Sequence, residues 1–199
     1  YTSALSDNDR IHTTHHLFLL YQQFLPYQDQ LSSTNIVLLN KRMLELDINR
    51  SFDSAIFTAA IKKHARTDTE WYIYYDYHIL RDVLDKNEII SFSAIFDEFG
   101  KVDTALWGDT VGALLLKYTH VNMFDECLTI IESKIMPHFN ELTLQSRATI
   151  LTAKQNCYQL RRQIDKALET AALAYDLYLQ NPDQIAETTV FAVMNNYII

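Results

Sequence analysis

Apolar side chains recur along this chain every three or four residues. Ile36, Leu39, Met43 and Leu46 are spaced in this way, which places them on one face of an α-helix. Comparable faces can be traced through most of the 199 residues. The spacing therefore predicts an all-α protein.

Residues that cap or break helices divide the first half of this pattern into five predicted helices. The first begins at Asp7 or Asn8 and ends before Pro26, and Asp47 to Ser51 is predicted to be a turn. Gly100 follows the fifth helix, where a left-handed helix terminus is expected. The other four helices are predicted to begin at Ser32 to Thr34, near Phe52, at Asp68, and at Asn87 or Glu88.

Aromatic residues crowd the fourth predicted helix between Trp71 and His78. Trp71 and Tyr75 are predicted to lie in the core, and Tyr74 and Tyr77 are predicted to reach the surface. A ligand-stacking surface or a dimer interface is the alternative interpretation, because tyrosine and tryptophan combine a large apolar area with a polar group.

The second half of the pattern is more regular, with long helices and short connections. Antiparallel pairs of this kind bury both faces only by stacking on one another, which favours an α-solenoid. The predicted helices run from Asp103 to about His120, from Asn122 to near Pro137 and His138, from Asn140 to about Leu160, from Ile164 or Asp165 to about Gln180, and onward from Pro182.

An internal repeat supports this architecture. The segment from Met123 to Glu132 aligns with the segment from Gln163 to Ala172, and Tyr118 and Tyr158 precede them. The two copies are offset by 40 residues. The pattern resembles the tetratricopeptide repeat, in which small residues let the second helix of a pair pack closely on the first. Residues of this kind are Ala167, Ala171 and Ala174.

The predicted architecture is a single helical-repeat domain over residues 1–199, less regular over 1–100 and tetratricopeptide-like over 101–199. Arg162 stands where the tetratricopeptide family has a glycine, and the repeat period of this chain exceeds the usual period of about 34 residues. An irregular helical bundle, in which one pair of helices resembles another by chance, is the alternative.

Composition narrows the classes of function. The chain has three glycines and three prolines, too few for β-hairpins or for the glycine-rich loops that hold phosphates. A net charge of −8 and a pI near 5.3 argue against direct binding of nucleic acid, whose affinity comes from clustered lysine and arginine. No apolar run is long enough to span a membrane, and two cysteines are too few for a disulfide framework, so the predicted location is the cytoplasm.

The residues predict no catalytic site and no metal site. His12, His15 and His16 share a helical face, but no acidic residue completes a metal site, and a solvated polar face is the preferred interpretation. Cys127 and Cys157 lie within apolar patterns, where a free cysteine behaves as a small hydrophobic residue. The chain is therefore predicted to be a non-enzyme without a cofactor, and a redox role for the cysteines stays open.

Two asparagines in equivalent positions of the repeat suggest a binding groove. Asn156 and Asn196 lie one repeat period apart, although asparagine is a poor interior helix former. Its amide offers a donor and an acceptor together, the combination that grips the backbone of an extended peptide. Two solvated asparagines on an exposed face are the alternative. The predicted groove residues are Asn156, Asn196, Thr152, Gln159 and Thr189.

The whole chain resembles the C-terminal regulatory domain of the Rgg, GadR and MutR group of transcriptional regulators from Gram-positive bacteria. Asp76 stands where that family has a glutamate, and the spacing from the tryptophan is one residue longer than in the family. The features that carry the resemblance are Leu44 to Asp47, Glu70 and Trp71, Tyr75 and Asp76, Ile79 and Leu80, and the tetratricopeptide-like pairs that follow.

The resemblance implies a domain that dimerises, binds a short signalling peptide in its concave groove and so controls an attached DNA-binding domain. It adds Arg147 to the groove residues, where its guanidinium would suit a peptide carboxylate. It also implies an N-terminal helix-turn-helix domain that is missing from this chain, which begins at Tyr1. DNA would be contacted only through that domain. A helical-repeat scaffold that binds a protein partner and has no transcriptional role is the alternative function.

Overall fold

The computed structural model describes residues 7–46, 54–81, 84–185 and 189. These residues form helices and turns without strands, so the all-α prediction is confirmed for them. The chain divides into two compact units, Tyr1–Tyr77 and His78–Ile199. The boundary falls earlier in the chain than the change of regularity predicted near residue 100.

Four helices make up the described part of the first unit, and the last of them continues into the second unit. Ser32 lies at the start of the second helix, as predicted, and its hydroxyl accepts a hydrogen bond of 3.3 Å from the amide of Asn35. The turn and the helix start predicted between Asp47 and Phe52 lie outside the described residues. The helices are α1 (Asp7–Phe24), α2 (Ser33–Leu46), α3 (Ser54–His64) and α4 (Asp68–Arg81), with a 3₁₀ turn at Leu25–Gln30 after α1.

A buried tyrosine and a buried asparagine meet in the core of the first unit. The Tyr21 hydroxyl donates a hydrogen bond of 2.5 Å to Oδ1 of Asn40, whose Nδ2 donates to the carbonyl of Ile36. Both ends of this buried amide are therefore satisfied, as burial of a polar group requires. The surrounding core residues are Val37, Met43 and Leu44 of α2, Phe57 and Ile61 of α3, and Ile73 and Tyr74 of α4.

Tyr74 corrects the prediction for the aromatic helix. Its side chain is buried, because its ring packs edge-on against Trp71 and lies under the ammonium group of Lys62. Trp71, Tyr75 and Tyr77 are half-buried around this core. The prediction that Tyr74 reaches the surface is wrong, because α4 packs over more of its circumference than a helix with one buried face.

The start of α4 also differs from the prediction, which made Asp68 its cap. The Thr67 hydroxyl accepts a hydrogen bond from the amide of Glu70, and the Glu70 carboxylate accepts hydrogen bonds from the amides of Thr67 and Arg66. This reciprocal arrangement is a capping box. Burial by itself would raise the pKa of Glu70, but these hydrogen bonds and one from Thr34 hold that pKa below its usual range.

The second unit begins within α4 and contains five further helices in its described part. Asp103 caps α6 as predicted, since its carboxylate accepts hydrogen bonds from the amides of Ala105 and Leu106. Gly100 has a φ of +86°, the left-handed conformation expected there. The helices are α5 (Lys86–Ser91), α6 (Thr104–His120), α7 (Phe124–Ile130), α8 (Leu144–Leu160) and α9 (Ile164–Gln180), with 3₁₀ turns at Ser93–Asp97, Met136–Glu141 and Pro182–Gln184.

Trp107 anchors α6 to the segment that precedes it. Its side chain is fully buried, and Nε1 donates a hydrogen bond of 2.9 Å to the carbonyl of Ile95. The ring of Phe99 packs edge-on against the indole at 5.1 Å between centroids. The indole is therefore buried with its one polar atom hydrogen-bonded, and it stabilises this part of the core.

The chain after α7 departs from the regular helix that the sequence predicted up to Pro137. A π-helical turn over Ile131–Ile135 follows α7, and a 3₁₀ turn over Met136–Glu141 follows that. Proline has no N–H to donate to the carbonyl one turn earlier, so an α-helix is not continued through Pro137. The next helix accordingly begins later than the predicted Asn140, at Leu144, with the Thr143 hydroxyl as its cap.

The two turns that follow α6 and α8 have the same backbone geometry. Asn122 and Arg162, which lie one repeat period apart in the sequence, have φ angles of 61° and 59°. The amides of Met123 and Gln163 donate to the carbonyls of Tyr118 and Tyr158 at 3.0 and 2.9 Å. This pattern is a Schellman motif, and its recurrence at the spacing of the sequence repeat supports the predicted helix pairs.

Within the described ranges, no helix combines the length and the apolar character that crossing a bilayer requires.

Candidate functional site

Helix α8 occupies the centre of the candidate site because α6 and α9 pack on different sides of it. Towards α6, a Cβ placed on Gly108 would lie 2.8 Å from Oγ of Ser146, and one placed on Gly112 would lie 3.0 Å from Cγ2 of Thr149. Both distances are too short for ordinary contacts, so the two glycines allow α6 and α8 to approach closely.

Towards α9, the contact is made by small and aliphatic side chains. Leu151 of α8 packs with Ala171 and Ala174, and all three are buried. Together with Ala167, which is also buried, these residues form the small-residue face that the sequence predicted. The prediction that α8 and α9 are a closely packed pair is therefore confirmed.

A strip of polar side chains on α8 borders the contact with α6, and Thr149 belongs to both. Residues advance by about 100° around an α-helix, so Gln145, Thr149 and Asn156 project within about 40° of one another. All three are half-buried. We call these three residues the polar strip.

Hydrogen bonds order one end of the polar strip. Nε2 of Gln145 donates to Oγ1 of Thr149 at 3.3 Å and to Oγ1 of Thr189 at 2.9 Å. The Thr149 hydroxyl donates to the carbonyl of Gln145 at 3.0 Å. Thr189, a predicted groove residue, is therefore brought to the polar strip.

Asp109 of α6 is a neighbour of the strip that the sequence prediction did not include. The buried Ser146 hydroxyl donates to Oδ1 of Asp109 at 2.7 Å, and the Thr143 hydroxyl lies 2.7 Å from the same serine oxygen. Partial desolvation raises the pKa of Asp109, the hydrogen bond from Ser146 lowers it, and the charge of Asp103 raises it, with a net upward shift. The sequence repeat could have predicted this position, because Asp109 stands one repeat period before Thr149.

The remaining predicted groove residues differ in how far they are buried. Gln159 is half-buried near the end of α8, whereas Thr152 is buried and its hydroxyl donates to the carbonyl of Ala148. Thr152 therefore does not present its hydroxyl to a ligand. Asn196 lies outside the described residues.

Arg147 projects from the side of α8 opposite Asn156. Nine residues separate them in the sequence, which corresponds to about 180° around the helix. The guanidinium carbon of Arg147 lies 5.0 Å from the centre of the Phe139 ring, in a cation–π contact. The structure therefore does not bring Arg147 together with Asn156 on the polar strip.

Buried thiols meet where α7 packs on α8. Cys127 and Cys157 are both fully buried and free, as expected for cysteines within apolar patterns. A hydrogen bond with Cys157 and burial raise the pKa of Cys127, so its sulfur is a thiol rather than a thiolate.

Histidine, cysteine and acidic side chains are the candidates for a metal site. No group of three histidine, cysteine, aspartate or glutamate side chains there is arranged to hold a metal ion. His15 and His16 are exposed on α1, and the side chain of His12 lies outside the described residues. The solvated polar face that the sequence predicted agrees with the exposure of the two described histidines.

Comparison with known proteins gives no match to a family model, to a curated protein or to a solved structure.

Proposed function

We propose that this chain is a helical-repeat domain that binds a short extended peptide along the polar strip of α8. The observation that carries the proposal is the alignment of Gln145, Thr149 and Asn156 on one half-buried face. Amide and hydroxyl groups both donate and accept hydrogen bonds, so a row of them matches the alternating N–H and C=O groups of an extended peptide. Recognition of this kind depends little on the side chains of the ligand.

The proposal has a narrower form, which rests on the resemblance of the sequence to the Rgg, GadR and MutR group. In that form the peptide is an intercellular signal, and the domain is a cytoplasmic homodimer. Binding of the peptide then changes the activity of an attached helix-turn-helix domain, which alone contacts DNA.

Selection from a display library of short random peptides tests the broader form. Peptides selected on the wild-type protein are then titrated by fluorescence polarisation against Asn156→Ala and against Asn140→Ala. Asn140 is exposed and lies before α8, so it serves as the matched control. Loss of one amide that binds the peptide weakens affinity by roughly tenfold, and the control keeps the wild-type affinity.

Two results contradict the broader form. If Asn156→Ala binds the selected peptides as tightly as Asn140→Ala, the polar strip is not the binding face. If the wild-type protein selects no peptide, the chain does not bind short peptides. Either result leaves the helical-repeat fold unaffected.

The narrower form is tested by the reading frame upstream of Tyr1 in the genome of origin. A helix-turn-helix domain encoded in the same frame supports a regulator. A start codon directly before Tyr1 contradicts it, whatever the peptide experiment shows.

A further inference from the structure

One flank of α9, beside its buried face, carries a strip of exposed apolar side chains. Ile164, Leu168, Tyr175 and Leu179 are 53%, 39%, 37% and 57% exposed. At about 100° per residue these four project within about 60° of one another, and the small, exposed Ala172 lies beside them. Single exposed apolar residues are ordinary, but an aligned strip of them marks a surface for a partner.

Acidic side chains run along one edge of this apolar strip. Asp165, Glu169 and Asp176 are all exposed, and they project within about 40° of one another on α9. In the described part of the chain, none of the three is paired with a basic side chain. We call these three residues the acidic edge.

The only basic residue of α9 does not neutralise the acidic edge. The Lys166 ammonium group lies 5.6 Å from the centre of the Tyr158 ring, in a cation–π contact with α8. The acidic edge is therefore available to positive charge from outside the molecule.

The negative charge of the acidic edge favours some binding partners for the apolar strip over others. Phosphates of nucleic acid and anionic lipid headgroups would be repelled by three carboxylates. A second copy of the chain in an antiparallel two-fold arrangement would place the two acidic edges directly against each other, and such like-charge contacts oppose association. A partner with basic residues beside its own apolar strip would bury apolar surface against the apolar strip of α9. Its basic residues would be attracted to the acidic edge.

We propose that the apolar strip and the acidic edge of α9 form a docking surface for a basic amphipathic helix of a partner protein. The apolar residues recur at intervals of four, seven and four along α9, with Ala172 inside the longest interval. This is the spacing along which one helix packs against another. Because Ala172 is small, the backbone of the partner helix can come close to α9 near the middle of the apolar strip.

Two designed helical peptides with the same apolar strip test the proposal, one flanked by lysines and the other by glutamates. Fluorescence polarisation in about 0.15 M salt measures their affinities for the full chain. The lysine-flanked peptide is expected to bind roughly tenfold more tightly, since exposed ion pairs each contribute modestly. The triple variant Asp165→Asn, Glu169→Gln, Asp176→Asn is expected to remove most of that difference.

A pair of leucine variants separates docking from general attraction to an acidic protein. Leu168→Gln removes part of the apolar strip, whereas Leu173→Gln alters a more exposed leucine about 180° from Ile164 on the same helix. Circular dichroism confirms that each variant is folded. Docking is supported when Leu168→Gln weakens binding of the lysine-flanked peptide severalfold and Leu173→Gln does not.

Three results overturn the proposal. Equal affinity for the two peptides removes the role of charge. Equal effects of Leu168→Gln and Leu173→Gln remove the role of the strip, because attraction by net charge alone is indifferent to both. A wild-type protein that sedimentation velocity shows to self-associate, and that Leu168→Gln returns to a monomer, assigns the face to a second copy of the chain instead.

Discussion

The helix pairs α6 with α7 and α8 with α9 share the geometry of their connecting turns but differ in the helix that follows. In the second pair α9 stays regular from Ile164 to Gln180, whereas in the first pair α7 ends at Ile130 and a π-helical turn begins. Ile131 and Ala171 occupy equivalent positions of the repeat, and both are fully buried. The two pairs therefore share their connecting turn and differ in the size of this buried residue, which we expect to set how the second helix packs.

The second pair stays regular where its buried residues are small. Alanines on the inner face of α9 let it lie close to α8 without any change in helical geometry. The first pair buries a larger residue at the same place, and Pro137 follows soon after it. Exchanging the buried residues between the pairs is therefore the sharpest way to test this account.

Ile131→Ala is expected to have the largest effect. Removing a fully buried isoleucine side chain leaves a cavity and lowers the free energy of unfolding by about 2–4 kcal/mol. Urea denaturation followed by circular dichroism measures it. The neighbouring Ile130, which is only half-buried, is the control, and Ile130→Ala is expected to cost less than half as much. Equal losses would mean that the residue at position 131 does not fill a tight site.

Ala171→Ile makes the converse exchange and is expected to cost about 1–3 kcal/mol, because extra methyl groups must enter a close contact between α8 and α9. Ala172→Ile places the same side chain one residue later on the exposed side of α9, where the change is expected to stay within about 0.5 kcal/mol. If both variants unfold at the same urea concentration, the alanine face does not set the approach of the two helices.

Gly108→Ala tests the contact that joins the two pairs. The new methyl group would lie 2.8 Å from Oγ of the buried Ser146. Overpacking outweighs the better helix propensity of alanine, for a net loss of about 1–2 kcal/mol. Gly112→Ala, with 3.0 Å to Thr149, is expected to lose less. Thermal denaturation compares the two, and a gain of stability from Gly108→Ala would contradict the close approach.

Arg162→Gly is expected to have the smallest effect and to stabilise the protein. A non-glycine residue at a left-handed φ is strained, and relief of that strain is worth about 0.5–1 kcal/mol. Asn122→Gly in the equivalent turn should gain less, since asparagine tolerates this conformation. The two melting temperatures measure the difference, and a destabilised Arg162→Gly would show that its side chain contributes more than its backbone strain costs.

Much of the fold was readable from the sequence, since the residues that decide it act locally. Asp103 marks the start of α6, and the position of Arg162 marks the turn between α8 and α9 although the residue is not glycine. The start of α8 was not readable. Asparagine is a favoured N-cap residue, but Asn140 lies within the 3₁₀ turn over Met136–Glu141. The N-cap of α8 is therefore Thr143.

The candidate site was only partly readable. Asn156 lies on a half-buried face of α8, and its role in a groove stays a prediction. Asp109 could have been found by carrying the repeat one period back from Thr149. The position of Arg147 on the other side of α8 also follows from counting residues around the helix. The burial of Thr152 does not, because it depends on what packs against α8 rather than on α8 itself.

The meeting of two buried thiols between α7 and α8 gives the molecule an internal reporter of its own opening. A bulky thiol reagent reaches Cys127 or Cys157 in the native protein only when that contact separates. The rate of labelling without denaturant therefore measures how often α7 leaves α8. Equal rates at the two sulfurs would mean that the helices part as one unit, and unequal rates would identify the helix that frays first.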